Sequence, residues 1–185
     1  MTDIGIIGGG VAGLQAAVFT AKAGENTVVF DSGESLVLNT SNIQNLITHD
    51  SIAGQEVIDM GQEKLEQFGG EIKDEEVQEL SRGEENLKVE TSEETYTFDY
   101  VVIASAGKHD YIELDLDYED GVEGMYMMDQ HIKTDDSNKA AERVYAAGLA
   151  NSWEYQTSTA IGDGAKAAVN LLSEVYGEPY SDHST

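Results

Sequence analysis

Gly8, Gly10 and Gly13 stand at the spacing G-x-G-x-x-G, directly after the apolar run Ile4-Gly5-Ile6-Ile7. Glycines so placed make a tight turn, let backbone approach a pyrophosphate, and let the next helix pack closely on the preceding strand. Val11 to Lys22 reads as that helix, its free N–H groups and positive dipole end facing the phosphates. A second apolar stretch, Thr27-Val28-Val29-Phe30, ends in Asp31, close to the ~20-residue offset at which an acid meets an adenosine ribose. That acid suits an unmodified ribose and repels a 2′-phosphate. The chemistry expected is capture of an adenine dinucleotide by backbone donors.

Other residue types point away from competing chemistries. The chain has no cysteine, which removes disulfides, thiolate catalysis and Cys-ligated metals. Asp115-Leu116-Asp117-Tyr118-Glu119-Asp120-Gly121 superficially resembles a calcium loop, but its glycine is one place late and Tyr126 occupies the bidentate position. A solvated acidic connection is the better reading. His49, His109, His131 and His183 lack paired ligand spacing and are expected at the surface. His49-Asp50 offers a proton-relay alternative. Trp153 and Tyr155 are expected to pack, with a stacking platform as the alternative, and Met125, Met127 and Met128 to enter the core, with a partner-facing patch as theirs.

The elements that would position this chemistry follow from periodicity. After Asp31, residues 32–50 read as a loop. Ile52 to Phe68 suits an amphipathic helix through Val57, Ile58, Met60, Leu65 and Phe68, and Gly69-Gly70 stops it. Glu71 to Leu80 reads as one strand. Leu87 to Glu90 and Tyr96 to Phe98 read as half-exposed strands joined by a polar turn. Tyr100 to Ala104 is a continuous apolar run, as in a buried parallel strand. Lys108 to Asn138 is acidic and irregular, Arg143 to Gly148 is another buried strand, and Gln156 to Val175 a closing helix. Alternating strands and helices predict a doubly wound, Rossmann-like α/β domain with a small additional β-sheet.

Composition sets the outer bounds. With 185 residues, 40% of them apolar, the chain is expected to be a single domain. No run reaches the ~18 apolar residues of a membrane span, and no signal-peptide pattern precedes the first strand, so a cytoplasmic location is expected. Asn39-Thr40-Ser41 matches a glycosylation acceptor that needs a secreted context. The 36 acidic residues against 10 basic ones give a formal charge of −26. Such a surface repels nucleic acid and anionic lipid, and its self-repulsion points to a protein of a salty cytosol.

Four segments in order resemble the FAD-binding half of the thioredoxin reductase-like flavoproteins. They are the glycine turn ending at Asp31, Asn39 to Asn45, Val101 to Gly107, and Val144 to Gly148 followed by Gln156 to Ala165. The resemblance covers most of residues 1–107 and 140–176, leaving 108–139 as a short acidic connection. It implies FAD as cofactor. Gly8, Gly10, Val11, Ala12 and Gly13 would hold the pyrophosphate, and Asp31 with Ser32 the adenosine ribose. Val77 would flank the adenine, and Thr40 and Asn45 would lie near the isoalloxazine. Ala104, Gly107, Gly148 and Leu149 would line the cofactor at the ends of their strands. Gln156, Thr157 and Ser158 would form a helix N-terminus beside the flavin pyrimidine ring, where a helix dipole stabilises negative charge.

The departures from that family matter equally. Its NAD(P)H domain would lie between residues 107 and 143, where this chain has only about 35 residues, little more than the ~30 of a single βαβ unit. The redox cysteine pair is missing, Leu149 replaces an acid, and Ser105-Ala106 replaces Thr-Gly. The expectation is an FAD-dependent oxidoreductase-like flavoprotein that carries electrons between a donor and an acceptor without thiol chemistry. Neither donor nor acceptor is named by the sequence, and a homodimer partner or a separate protein is left to cover the flavin. The alternative is a non-catalytic FAD- or NAD-binding regulatory protein.

Overall fold

A computed structural model describes residues 1–122 and 130–182. The methionine patch at 125–128, Tyr126 and His183 lie outside the described residues. A six-stranded sheet forms the centre. β1 (Asp3–Ile7), β2 (Asn26–Phe30), β3 (Glu71–Lys73), β7 (Tyr100–Ile103) and β11 (Val144–Ala146) run parallel, and β10 (Lys139–Ala141) adds an antiparallel edge. The order is β10-β11-β7-β1-β2-β3. Chain order therefore reverses between β1 and β7, and a crevice opens at the carboxyl ends of strands beside such a switch.

Period-two alternation sorts the sheet residues into two cores. Ile4, Ile6, Val29, Val102 and Tyr145 face α1 (Val11–Lys22), α2 (Gly54–Gln67) and α3 (Thr157–Tyr176). Ile7, Val28, Phe30, Val101, Ile103, Val144 and Ala146 face the other way, toward an antiparallel meander. Its strands are β4 (Val77–Arg82), β5 (Leu87–Thr91) and β6 (Thr95–Phe98). All three helices thus cover one face and a second sheet covers the other. Gly5 makes the second contact close: a Cβ there would sit 2.7 Å from the Phe98 ring.

On the helical side, Ala16, Ala17 and Ala21 of α1 are buried, and a Cβ on Gly164 of α3 would overlap the Ala12 carbonyl. Small residues let the two helices approach, which holds both of their N-termini at one end of the sheet. The Tyr145 hydroxyl donates to Glu174 at 2.7 Å, and Lys139 pairs with the same carboxylate at 2.5 Å, anchoring the far end of α3.

Several expectations need correction. Glu71 to Leu80 is not one strand: it breaks at Asp74-Glu75-Glu76, with β3 in the main sheet and β4 in the meander. Three consecutive carboxylates resist burial, so they mark the crossing between layers. The loop 32–50 contains a 3₁₀ turn, Leu36–Asn39. The acidic connection, expected to be irregular, carries a hairpin of β8 (Tyr118–Asp120), inside the stretch Asp115 to Gly121, with β9 (Gln130–Ile132). On α2, Ile58 and Leu65 are buried while Met60 is exposed, as is Phe68 just past its end.

The histidines also differ from expectation. His131 is 3% exposed on β9, and neither ring nitrogen has a hydrogen-bond partner among the described residues. His109 is partly buried against the Tyr118 ring, 5.5 Å between centroids. Burial, then the charge of His131, pushes its imidazole below the ordinary value. The hairpin folds back on the meander side, where Tyr118 and Ile132 join the core beside β4, β5 and β6, which no local spacing reveals. No group of three potential metal ligands occurs among the described residues.

Candidate functional site

A groove of about 350 Å³ lies at the carboxyl ends of β1, β2, β7 and β11. The β1–α1 turn forms its floor. Gly8 has φ +112°, a conformation side chains rarely adopt, and a Cβ on it would lie 2.6 Å from the Ala104 carbonyl oxygen. A Cβ on Gly13 would overlap the Gly8 carbonyl, so this glycine closes the turn from behind. The Gly8 N–H donates to the Phe30 carbonyl at 2.9 Å, and Ala104 N–H to Ile7 at 2.8 Å, which ties the turn to both neighbouring strands.

Two helix N-termini converge on this groove. Gly10 caps α1 and Gln156 caps α3, neither provides a side-chain cap, and neither helix has an acid in its first turn. Their first-turn N–H groups therefore retain donors for a ligand, backed by the dipole. The contrast with α2 is direct, since Glu56 reaches back to the Ala53 N–H at 3.0 Å. That helix, whose start lies outside the groove lining, carries an acid in its first turn.

Residues predicted for the site mostly meet here. Gly8, Gly10, Val11, Ala12, Asp31, Ser32, Thr40, Ala104, Leu149, Gln156 and Thr157 line the groove. Asn45 joins it indirectly, donating to the Gln156 side-chain oxygen at 2.9 Å. Ser158 lies in the exposed first turn of α3. Gly107, at φ +63°, and Gly148, at φ +66°, shape the turns after β7 and β11. Val77 stands apart, buried in the meander beside Thr91 and outside the groove lining. His49 also lies outside the groove, in a separate depression with Ser51 and Glu56.

Asp163 holds the β11–α3 end in shape. Its two carboxylate oxygens accept from the Gly148 N–H at 2.7 Å and from the Asn138 amide at 2.8 Å. Asn138 is buried at φ +64° and also donates to the Ala146 carbonyl at 3.0 Å. Asp163 was open to notice in the Gly-Asp-Gly helix start, but its partners were not.

Several lining residues escaped the sequence reading. Tyr155, expected to pack, lines the groove and is 58% exposed, and Trp153 beside it is 47% exposed. An irregular segment before α3 leaves both rings outside the core. Glu34, Ser35 and Lys108 line the groove as well. Lys108 pairs with Glu34 and stands 3.8 Å from Glu76. Its hydrogen bond to Glu34 holds the ammonium above its usual range and the carboxyl below. These residues are far apart in the chain, so no motif joins them.

The residues present fit an adenine dinucleotide. The close-approach glycines, the two uncapped helix ends and Asp31, whose carboxylate accepts from the Gly33 N–H at 3.0 Å, all border one groove. No helix among the described residues is long and apolar enough to cross a membrane.

Comparisons with known proteins agree. A thioredoxin reductase of Listeria monocytogenes is 31% identical over 109 residues, 58% of this chain and 34% of the relative. The thioredoxin reductase of Bacillus subtilis is 30% identical over the same length, again 34% of its own chain. The matched stretch thus spans about a third of these curated relatives. Among solved structures, a thioredoxin reductase from Gloeobacter violaceus superposes with a TM-score of 0.88 at 15% identity, covering 99% of both chains. That of Lactococcus lactis gives 0.78 at 18% identity, covering 96% of this chain and 100% of that one. The family model described as pyridine nucleotide-disulphide oxidoreductase matches residues 2–147. Its members, like the thioredoxin reductases, are FAD-binding flavoproteins, which meets the cofactor expectation. With a β1–α1 glycine cradle, a Rossmann-like sheet and a family match over most of its length, this chain belongs to the pyridine nucleotide-disulphide oxidoreductase family.

Proposed function

We propose that this chain binds FAD in the groove and serves electron transfer between a separate donor and a separate acceptor, without thiol chemistry of its own. The observation that carries the reading is the convergence of two uncapped helix N-termini on the glycine turn. Bound FAD would supply the redox chemistry, as a cofactor does, while the protein supplies binding, orientation and electrostatics.

Each end of the groove has a distinct task in this reading. The first-turn N–H groups of Val11, Ala12 and Gly13 hold the diphosphate, and Asp31 accepts from the adenosine ribose. At the other end, Gln156 and Thr157 present the α3 dipole to the ring end of the ligand. A fixed partial positive charge there favours whichever redox state is more anionic, with no titrating side chain required. Tyr155 borders that end and restricts water from one side. With no cysteine in the chain, electrons must leave by another route than a protein disulfide.

A second reading is favoured by one feature. The α3 end is lined by Leu149, Tyr155, Gln156, Thr157 and Ala160, with no carboxylate, imidazole or ammonium to move a proton. That lining suits a non-catalytic dinucleotide-binding protein. Titration of the purified chain with FAD, followed by absorption and heat of mixing, tests both: one equivalent bound with a shifted flavin spectrum is expected. Photoreduction and addition of NADH or an artificial acceptor then separates a redox protein from a passive binder. A chain that takes up no FAD overturns the first reading.

A further inference from the structure

We propose that Lys108 and Glu34 form a clasp across the adenosine end of the groove, so that a bound adenine dinucleotide leaves only when this pair opens. The inference rests on the reading of the groove as an FAD site. Glu34 lies in the loop after β2 and Lys108 in the loop after β7, so their pair links the two walls on either side of β1. Both residues line the groove. Asp31, which marks the ribose position, lines it on the Glu34 side.

Two features hold Lys108 at that place. The Ser105 hydroxyl donates to the Lys108 carbonyl at 3.2 Å, and the Tyr111 hydroxyl stands 2.7 Å from the same serine oxygen. Burial pushes the Tyr111 hydroxyl far up, so it remains a donor at any ordinary pH. Glu76, from the crossing between β3 and β4, offers a second carboxylate at 3.8 Å. Among the charged residues that line the groove, Asp31 and Glu34 are acids and Lys108 is the cation. In a chain with 10 basic residues against 36 acidic ones, an ammonium at the mouth has a specific consequence. It offsets the repulsion of the two carboxylates toward the ligand phosphates. Lys108 and Glu34 are 45% and 65% exposed, so the pair opens readily and responds to salt.

The test uses the full chain loaded with FAD, and reads the rate at which free flavin appears after dilution. Lys108→Gln and Glu34→Gln are each expected to release FAD about three- to fivefold faster at low salt, the range of an exposed ion pair. The double variant should be no faster than either single one, and the swapped pair K108E/E34K should return toward the wild-type rate. In molar salt the difference should vanish. Single variants that release at the wild-type rate, or effects that multiply in the double variant, overturn the clasp while leaving the FAD site standing. A wild-type chain that takes up no FAD overturns both.

Discussion

The two ends of the groove are built differently. The β1–α1 end joins a positive-φ glycine and close backbone packing to three charged side chains, Asp31, Glu34 and Lys108. Among the described residues, the β11–α3 end has no charged side chain in its lining; its shape comes from Asp163, which works from behind through Gly148 and Asn138. In the proposed reading, one end grips a specific polar ligand and the other holds a helix dipole in place. A grip made mainly by backbone suits a chain of charge −26, because it needs few cations.

The sharpest way to break this contrast is Gly8→Ala. The new Cβ meets the Ala104 carbonyl and the backbone must keep φ +112°. We expect FAD affinity to fall about a hundredfold or more, with a stability loss of about 1–3 kcal/mol from backbone strain. Calorimetric titration and thermal unfolding measure both; wild-type affinity in this variant would mean the cradle is not the anchor.

Asp163→Ala attacks the other end. It leaves the Gly148 N–H without its acceptor and the buried Asn138 amide with the Ala146 carbonyl alone, costing about 2–4 kcal/mol. FAD affinity should drop less than in Gly8→Ala, because the phosphate grip is untouched. If the two variants lose affinity equally, the ends are not separable.

Salt acts on the charged surface of the whole molecule. Screening of its self-repulsion should raise the melting temperature by on the order of 10 °C between dilute buffer and molar salt. The α3 end, being backbone-built, should keep its flavin spectrum unchanged over that range. A melting temperature independent of salt would contradict the expected halophilic character.

The smallest effect is in pH. His109, beside the loop that carries Lys108, has its imidazole pushed down by burial and then by His131, with Asp110 opposing. Its folded value lies below its unfolded one, so its contribution to stability is complete above the unfolded value of about 6.5. That contribution is lost as the pH falls from there through the folded value. His109→Gln should flatten the melting temperature against pH below about 6.5. An unchanged slope would show that His109 is not the group responsible.

Legibility followed locality. The glycine turn, Asp31, the strand Tyr100 to Ala104 and the closing helix could be read because each is set by neighbours a few places away. The break at Asp74-Glu75-Glu76 was visible as an acid run, yet nothing local indicated that β4 would join another layer. Trp153 and Tyr155 misled because an aromatic pair normally packs, and here the preceding turn carries both outward. His131 looked like a surface residue because its burial depends on the hairpin rather than on its neighbours in the chain.

By itself the amino-acid sequence determined that a backbone cradle would follow the first strand, since only glycines tolerate the required φ and close approach. It also determined the acidic charge and the lack of cysteine, which are matters of composition. The tertiary structure alone decided that α1 and α3 end at one groove, that Asp163 braces one wall, and that Lys108 meets Glu34 across the other. Those contacts join residues as far apart as Ala12 and Gly164, 152 positions, and such pairings follow from strand order and helix packing rather than from any local pattern.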